Sequence, residues 1–319
     1  MLARFWGTRG SLPTAMRSGE VRNKLIAALS AANGRQFRSE ADIGKFLDRE
    51  LDFPVRATYG GASACVELDG ACDEFIVCDM GSGLREFGLD AMGRYSEKKK
   101  KIYNIFMSHL HWDHIMGFPF FAPSYDPDVT IRFYGGHATI ERALRRQQEK
   151  ISFPVPFDYL KARFEFNTLV PGEVTEVAGC RVEVIRQHHD NDSYGYRFGC
   201  HGKSLVYSTD SEHKLDDTAS MQRFVEFLRN ADLVIMDTMY SLVDAVSVKA
   251  DWGHSSNVVA VDLCHLANAR RLAMFHHEPV FDDNMIRKLH LDTIRYEELT
   301  RRGSMLDVLC AYDGLEVSL

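Results

Sequence analysis

The chain has 319 residues, enough to bury a large core, and its 45% hydrophobic and 26% charged content is that of an ordinary globular protein. A net charge of −7 supplies no global pull toward nucleic acid or an anionic membrane. No apolar run reaches the length of about 18 residues needed to span a bilayer, and the short apolar start at Met1 does not make a signal peptide. The seven cysteines (65, 72, 78, 180, 200, 264 and 310) are scattered, odd in number and free of any Cys-x-x-Cys pair. They read as reduced, mostly buried thiols in a cytoplasmic protein, with neither a disulfide framework nor a thiolate metal site.

A first strand is expected at 2–6, ending in the turn Gly7-Thr8-Arg9-Gly10-Ser11. Residues 15–54 then change texture: 21–32 and 41–51 have helical spacing, broken at Asn33-Gly34. This is read as a helical insertion, a surface excursion that could serve as a lid or as a contact in a homo-oligomer. Short strands are expected next at 64–68, 75–78, 102–107, 129–134, 163–169, 174–177, 181–186, 194–198 and 204–207, with helices at 84–92 and 138–150. The last third alternates: helix 221–229, strand 233–236, helix 256–267, strand 272–275, helix 284–302 and a closing strand 306–311. Two sheets covered by helices on both outer faces, in one α/β domain over 1–319, account for this pattern.

The densest chemistry follows the 102–107 strand, in Ser108-His109-Leu110-His111-Trp112-Asp113-His114. In an extended segment side chains two apart point the same way, so His109 and His111 can grip one ion together. Asp113 and His114 face elsewhere once the chain turns into a helix. Four ligands so close in sequence do not make one unstrained tetrahedron, so the motif reads as two half-built metal sites side by side. Each needs donors from later in the chain. His188-His189 follows one predicted strand, Asp210 another and His276-His277 a third, and strand ends are where α/β folds project chemistry. Spacing alone leaves open which histidine of each pair is used.

The motif His109-x-His111-x-Asp113-His114, followed by His189, Asp210 and His276, resembles the metallo-β-lactamase-fold hydrolases. Phe5-Trp-Gly-Thr-Arg-Gly-Ser, Asp79-Met-Gly-Ser-Gly, Ser193-Tyr-Gly-Tyr-Arg, Trp252-Gly-His-Ser-Ser and Phe275-His-His-Glu-Pro are similar to its phosphoribosyl cyclic phosphodiesterase and RNase Z-like branch. The resemblance implies a four-layer αββα sandwich of two mixed β-sheets. It implies that His109, His111 and His189 hold one divalent ion, that Asp113, His114 and His276 hold a second, and that Asp210 bridges them. Imidazole and carboxylate donors suit Zn²⁺, and also Mn²⁺ or Fe²⁺. The Asp79 turn would orient ligands. His254 is the candidate general acid, Asp113 a second catalytic candidate, and Arg9 a candidate fork for substrate phosphate.

Two departures stand out. Gly60-Gly61-Ala62 replaces the relatives' Gly-Gly-Asn, and Asp190-Asn191-Asp192 replaces their Pro-Gly after His189, making that loop more acidic. The leading expectation is a dinuclear phosphodiesterase acting on a small cyclic nucleotide or cyclic phosphoribosyl diester. Acidic charge argues against a large RNA, while the basic residues of the insertion keep an RNase Z-like endoribonuclease open. A glyoxalase II-like thioesterase has a similar ligand set, and the motif by itself is also compatible with a mononuclear-iron persulfide dioxygenase.

Overall fold

The computed structural model describes residues 1–70, 72–96, 99–190, 192–213, 218–241 and 253–319. Apolar alternation in the first half builds β1 (Leu2–Gly7), β2 (Cys65–Asp69), β3 (Phe75–Cys78), β4 (Ile102–Met107), β5 (Thr130–Gly135) and β6 (Arg163–Thr168). Together with the C-terminal β14 (Glu316–Ser318) they form a seven-stranded sheet in the order β14-β1-β2-β3-β4-β5-β6. The later strands are β7 (Val174–Val177), β8 (Cys180–Gln187), β9 (Ser193–Cys200), β10 (Lys203–Ser208), β11 (Leu233–Asp237), β12 (Arg271–Phe275) and β13 (Asp307–Cys310). They form a second seven-stranded sheet in the order β13-β12-β11-β10-β9-β8-β7. Both sheets are mixed. β1 to β3 and β7 to β10 pair antiparallel, whereas β3 to β6 and β10 to β13 pair parallel.

The layers follow from which face of each strand is apolar. Phe5, Val66, Phe106, Tyr196, Phe198, Tyr207 and Phe275 meet between the sheets. On the outer face of the first sheet, Phe75, Val77, Tyr103 and Ile105 pack under Leu84 and Phe87 of α4 (Leu84–Gly93). On the outer face of the second, Val206, Val234, Leu272 and Met274 are covered by α7 (Thr218–Leu228), α8 (Asn257–Leu266) and α9 (Asp283–Thr300). Full burial of each such side chain contributes about 1.5–3 kcal/mol, so three contiguous interfaces fix a four-layer αββα sandwich, as expected.

Residues 15–54 carry α1 (Ser18–Ala31) and α2 (Glu40–Glu50), followed by the short α3 (Phe53–Arg56). α1 buries no residue and α2 buries only Phe46. α1 is tied to the domain by Lys24, whose Nζ reaches Asp283 at 2.6 Å and donates to the carbonyls of Pro54 and Ala57. Among the described residues no helix is long and apolar enough to cross a membrane.

One expectation fails. Cys180 and Cys200 are joined by a disulfide, not held as free thiols, while Cys65, Cys72, Cys78, Cys264 and Cys310 are free. The β8–β9 hairpin pairs Arg181 with Gly199, which sets the two flanking cysteines opposite each other with Cα atoms 4.9 Å apart. Sequence separation gives no hint of this, because partnership depends on strand register. The bond closes the open end of the hairpin whose tip carries His189. A ring of this size restricts the unfolded chain by about 3 kcal/mol. Reduction, or the Cys180→Ala/Cys200→Ala pair, is therefore expected to lower the denaturant midpoint, with five free thiols titrating in the unfolded oxidised chain. An unchanged midpoint after reduction would show that the bond does not support the fold.

Candidate metal centre

Every polar side chain of interest leaves the C-terminal end of a strand and enters the cleft between the two sheets. β4 ends in the 108–114 motif, which turns into the single-turn helix α5 (Trp112–Ile115) with His111 as its N-cap. β8 leads to His189, β10 to Asp210, β11 to Asp237 and β12 to His276. Three of the turns that carry this site use a left-handed backbone on a non-glycine residue: Asp79 at φ 60°, Asp210 at φ 46° and His276 at φ 60°. Each such residue costs about 1–3 kcal/mol, which is sustained where the surroundings fix the side chain's direction.

Two clusters built on the motif result, with a third that overlaps the second. His109, His111 and His189 bring ring nitrogens together, Asp113, His114, Asp210 and His276 form a second group, and Asp210, Asp237, His254 and His276 a third. His189 Nε2 lies 3.2 Å from His111 Nδ1. In the second group His114 Nε2 is 3.1 Å from Asp113 Oδ2 and 3.3 Å from His276 Nε2. Asp210 faces both groups with different oxygens. Its Oδ2 is 3.6 Å from His109 Nε2 and 3.8 Å from His189 Nε2, while its Oδ1 is 3.3 Å from His114 Nε2 and 3.1 Å from His276 Nε2. Donors about 2.0–2.1 Å from a tetrahedral Zn²⁺ stand about 3.3 Å apart, so the spacing matches a metal cage.

The hydrogen bonds that hold these rings sharpen the fit. Asp79 is the hub: it accepts from Ser108 N (2.7 Å), Ser108 Oγ (2.7 Å), His114 Nδ1 (2.8 Å) and Tyr207 Oη (2.7 Å). Burial, followed by the charge of Asp79, keeps the Tyr207 hydroxyl protonated, so it donates. With Nδ1 of His114 donating to Asp79, its Nε2 lone pair faces the carboxylates of Asp113 and Asp210, acceptor against acceptor. Only a cation or a second proton relieves that arrangement. His109 Nε2 is likewise buried without a hydrogen-bond partner among the described residues. His189 Nδ1 bonds the carbonyl of Gly253 at 2.9 Å, which leaves its Nε2 for the cluster.

The charges point the same way. Burial opposes ionisation of Asp113 and Asp210. For Asp113 the charge of His114, with hydrogen bonds from His114 and His276, holds the carboxyl far below the usual range. His276, His114 and His109 do the same for Asp210. Burial would lower His114, yet Asp113, Asp210 and Asp79 raise it well above an ordinary imidazole. Strong negative potential is thus gathered at a point enclosed by nitrogen donors.

Two glycines serve this packing. A Cβ on Gly81 would lie 2.5 Å from the carbonyl oxygen of Asp113, and one on Gly10 would lie 2.4 Å from His276 Nδ1. The 7–11 turn also donates Ser11 N to Asp113 Oδ2 at 2.8 Å.

The remaining sequence expectations divide. Of each histidine pair, His188 is exposed and His277 bonds the carbonyl of Ala311 at 2.7 Å, while His189 and His276 join the clusters. Arg9 is a correction. It is only 4% exposed, with its guanidinium donating to the carbonyls of Gly60 (2.9 Å), Phe281 (2.7 Å) and Glu278 (3.3 Å). It locks three loops together and is not free to fork a phosphate. Trp252 and Asn191 lie outside the described residues. His254 stands beside the second cluster, its ring 5.1 Å from that of His276, and its Nδ1 is 2.7 Å from Asp237 Oδ2. Burial works against its proton, but Asp237 first, then Asp210 and Asp113, raise it to about 9. Sequence reasoning does not single out Asp237. As the last residue of an apolar strand it carries the same signal as Asp210, without a recognised motif around it.

Residues 75–277 match the family model of the β-lactamase superfamily domain. Among curated proteins, the ribonuclease Z of Thermoplasma acidophilum is 23% identical over 277 residues, 73% of this chain and 84% of that protein. Among solved structures, the metallo-β-lactamase fold protein YhfI from Bacillus subtilis superposes with a TM-score of 0.63 at 18% identity, covering 99% of this chain and 98% of its own. A diphosphatase from the PhnP family gives a TM-score of 0.59 at 21% identity, covering 100% and 97%.

Asp210→Ala is expected to deplete metal from both clusters, His189→Ala from one, and His188→Ala from neither. Elemental analysis of dialysed protein checks this. Wild-type metal content in Asp210→Ala would contradict a shared carboxylate.

Proposed function

The chain belongs to the β-lactamase superfamily, and from that premise we propose that it is a metal-dependent phosphoric diester hydrolase. His109, His111 and His189 would hold one divalent ion and Asp113, His114 and His276 a second, with Asp210 shared. Nitrogen and carboxylate donors without sulfur favour Zn²⁺, with Mn²⁺ and Fe²⁺ compatible. Such an ion pair, when bound, supplies an acidified water and neutralises the oxygens of a phosphodiester.

The chain's own contribution is placement of the cage and of one proton. Asp79, Ser108 and Tyr207 fix His114, and Gly253 fixes His189. Asp113 is restrained from the other side by Ser11 N. It would serve as a ligand and as an acceptor orienting the attacking water. Asp237 favours the protonated form of His254, whose Nε2 points away from Asp237, where a departing oxygen would take the proton.

The observation that carries the phosphodiester reading is the His254–Asp237 pair, Nδ1 to Oδ2 at 2.7 Å, at the edge of the donor clusters. An alkoxide leaving group needs a proton, whereas the thiolate of a thioester departs without one. An Asp at position 210, where zinc β-lactamases have a Cys, supports a symmetric pair of sites over an antibiotic-degrading one. Two readings of substrate size rest on different observations. The net charge of −7 favours a small cyclic nucleotide or cyclic phosphoribosyl diester. The ribonuclease Z relatives favour RNA cleavage.

A panel of bis-p-nitrophenyl phosphate, 2′,3′- and 3′,5′-cyclic nucleotides, a precursor tRNA, lactoylglutathione, a persulfide and a β-lactam tests the reading. Metallated protein is expected to cleave phosphodiesters; cleavage of the thioester or lactam alone would sink the proposal. His254→Ala should keep both metals and slow poor leaving groups by about 10²–10⁴, with a smaller effect on p-nitrophenolate. Loss of metal in that variant would make His254 a ligand instead.

A further inference from the structure

One wall of the metal centre gathers Arg142, Arg145 and Arg146 on a single short helix of this acidic protein. Helix α6 (Ile140–Gln147) lies there, anchored at both ends to the metal-site loops. Ahead of it, His137 Nε2 contacts the Asp192 carbonyl at 3.1 Å, in the loop that follows His189, and its ring lies 5.0 Å from Tyr194. At its far end Gln147 Nε2 donates to the carbonyl of Ile115, the last residue of α5, at 3.0 Å. The helix therefore runs along the side of the cage.

With about 3.6 residues per turn, its faces can be assigned. Ile140, Leu144 and Gln148 point into the core. Ala143 and Gln147 are half-buried on the flank turned to α5, Arg146 comes next, exposed, on that same flank, and Arg142 follows it on the face pointing away from the core. The opposite flank carries Glu141 and Arg145, which pair with each other at 2.8 Å, while Arg145 also reaches Asp158 at 2.6 Å. Arg142, Arg146 and the following Lys150 are exposed and have no ion-pair or hydrogen-bond partner among the described residues. The cations from the α5 flank round to the outward face are thus left unpaired, while Arg145 on the other flank is neutralised.

The motif itself supplies the second element. Trp112, between His111 and Asp113, is 81% exposed, and beyond α5 Phe120 is 57% and Ile151 92% exposed. A single exposed apolar residue is ordinary. An indole set between two candidate ligands, one helix away from unpaired arginines, is the arrangement that binds single-stranded nucleic acid. Bases stack on the aromatic face and the cations track the phosphates.

Building on the phosphodiesterase reading, we propose that the α5–α6 wall is a binding subsite for a single-stranded oligonucleotide. Trp112 stacks a base next to the scissile phosphate, and Arg142, Arg146 and Lys150 hold phosphates further along the strand. The local positive stripe answers the argument from net charge: a protein at −7 can seat a polyanion where its cations are gathered and unpaired.

The test uses the metal-loaded full chain and fluorescently labelled single-stranded RNA and DNA ten-mers in anisotropy titrations, so that binding is read apart from cleavage. Wild type is expected to bind both strands with affinity that falls as salt rises. Arg142→Gln/Arg146→Gln should weaken binding at least about tenfold and flatten the salt dependence by about 1.4 in log–log slope. Trp112→Ala should weaken binding about tenfold, with Trp112→Phe recovering part of it. Arg145→Gln, on the paired flank, should bind as wild type. In turnover, the wall variants should lower kcat/KM for the oligonucleotide relative to bis-p-nitrophenyl phosphate. Equal affinity of wild type and wall variants, or binding to anionic phosphatidylserine vesicles but to neither strand, would overturn the proposal. Strand binding that depends on these residues in a protein inert toward every diester would leave the subsite standing and remove the hydrolase reading.

Discussion

The structure depends on an electrostatic constraint: the carboxylates of Asp79, Asp113 and Asp210 are buried between two sheets against five imidazoles. Isolated buried carboxylates cost several kcal/mol each, and pairing must offset that cost. Asp79 is satisfied by four donors drawn from both sheets, including Tyr207 of the second. Outside the histidine cluster, the described residues give Asp113 the Ser11 N donor and Asp210 the Thr209 Oγ1 donor. Their oxygens face the ring nitrogens of His114, His276, His109 and His189, atoms that ligate when unprotonated and repel one another when charged. The left-handed turns at Asp79, Asp210 and His276, and the close backbone approaches at Gly10 and Gly81, make sense as the local costs of building this cage.

The fold is largely legible in the sequence because its strands are short, apolar and punctuated. β3, β4 and β7 end at the expected residues, and most other elements shift by only one to three. The exceptions are physical. β14 is a three-residue edge strand whose apolar content is a single valine, and α3 is one turn long; neither offers a period to read. The Cys180–Cys200 disulfide is a consequence of hairpin register, which no local pattern encodes.

The site is legible where its donors are clustered or follow a strand, and illegible where direction matters. His109, His111, Asp113 and His114 are visible as a motif. Arg9 misleads because a turn arginine's partners are carbonyls supplied by loops about 50 and 270 residues away, which only the folded chain brings together. Asp237 stays hidden for the complementary reason: its importance lies in contacting His254, 17 positions later. The flank asymmetry of α6 is equally hidden, since Arg142, Arg145 and Arg146 are equivalent in sequence until Asp158 neutralises one of them.

These features converge on one arrangement. Parallel strands of both sheets deliver donors to one end of the cleft, a buried carboxylate faces both donor groups, and the His254–Asp237 pair stands at their edge. The central claim is that Asp210 joins two half-sites into one centre. Electron paramagnetic resonance of the Mn²⁺-loaded protein tests it most directly. The account predicts the spectrum of an exchange-coupled ion pair, collapsing to that of an isolated ion in Asp210→Asn. An isolated-ion spectrum from the fully loaded wild-type protein would contradict it.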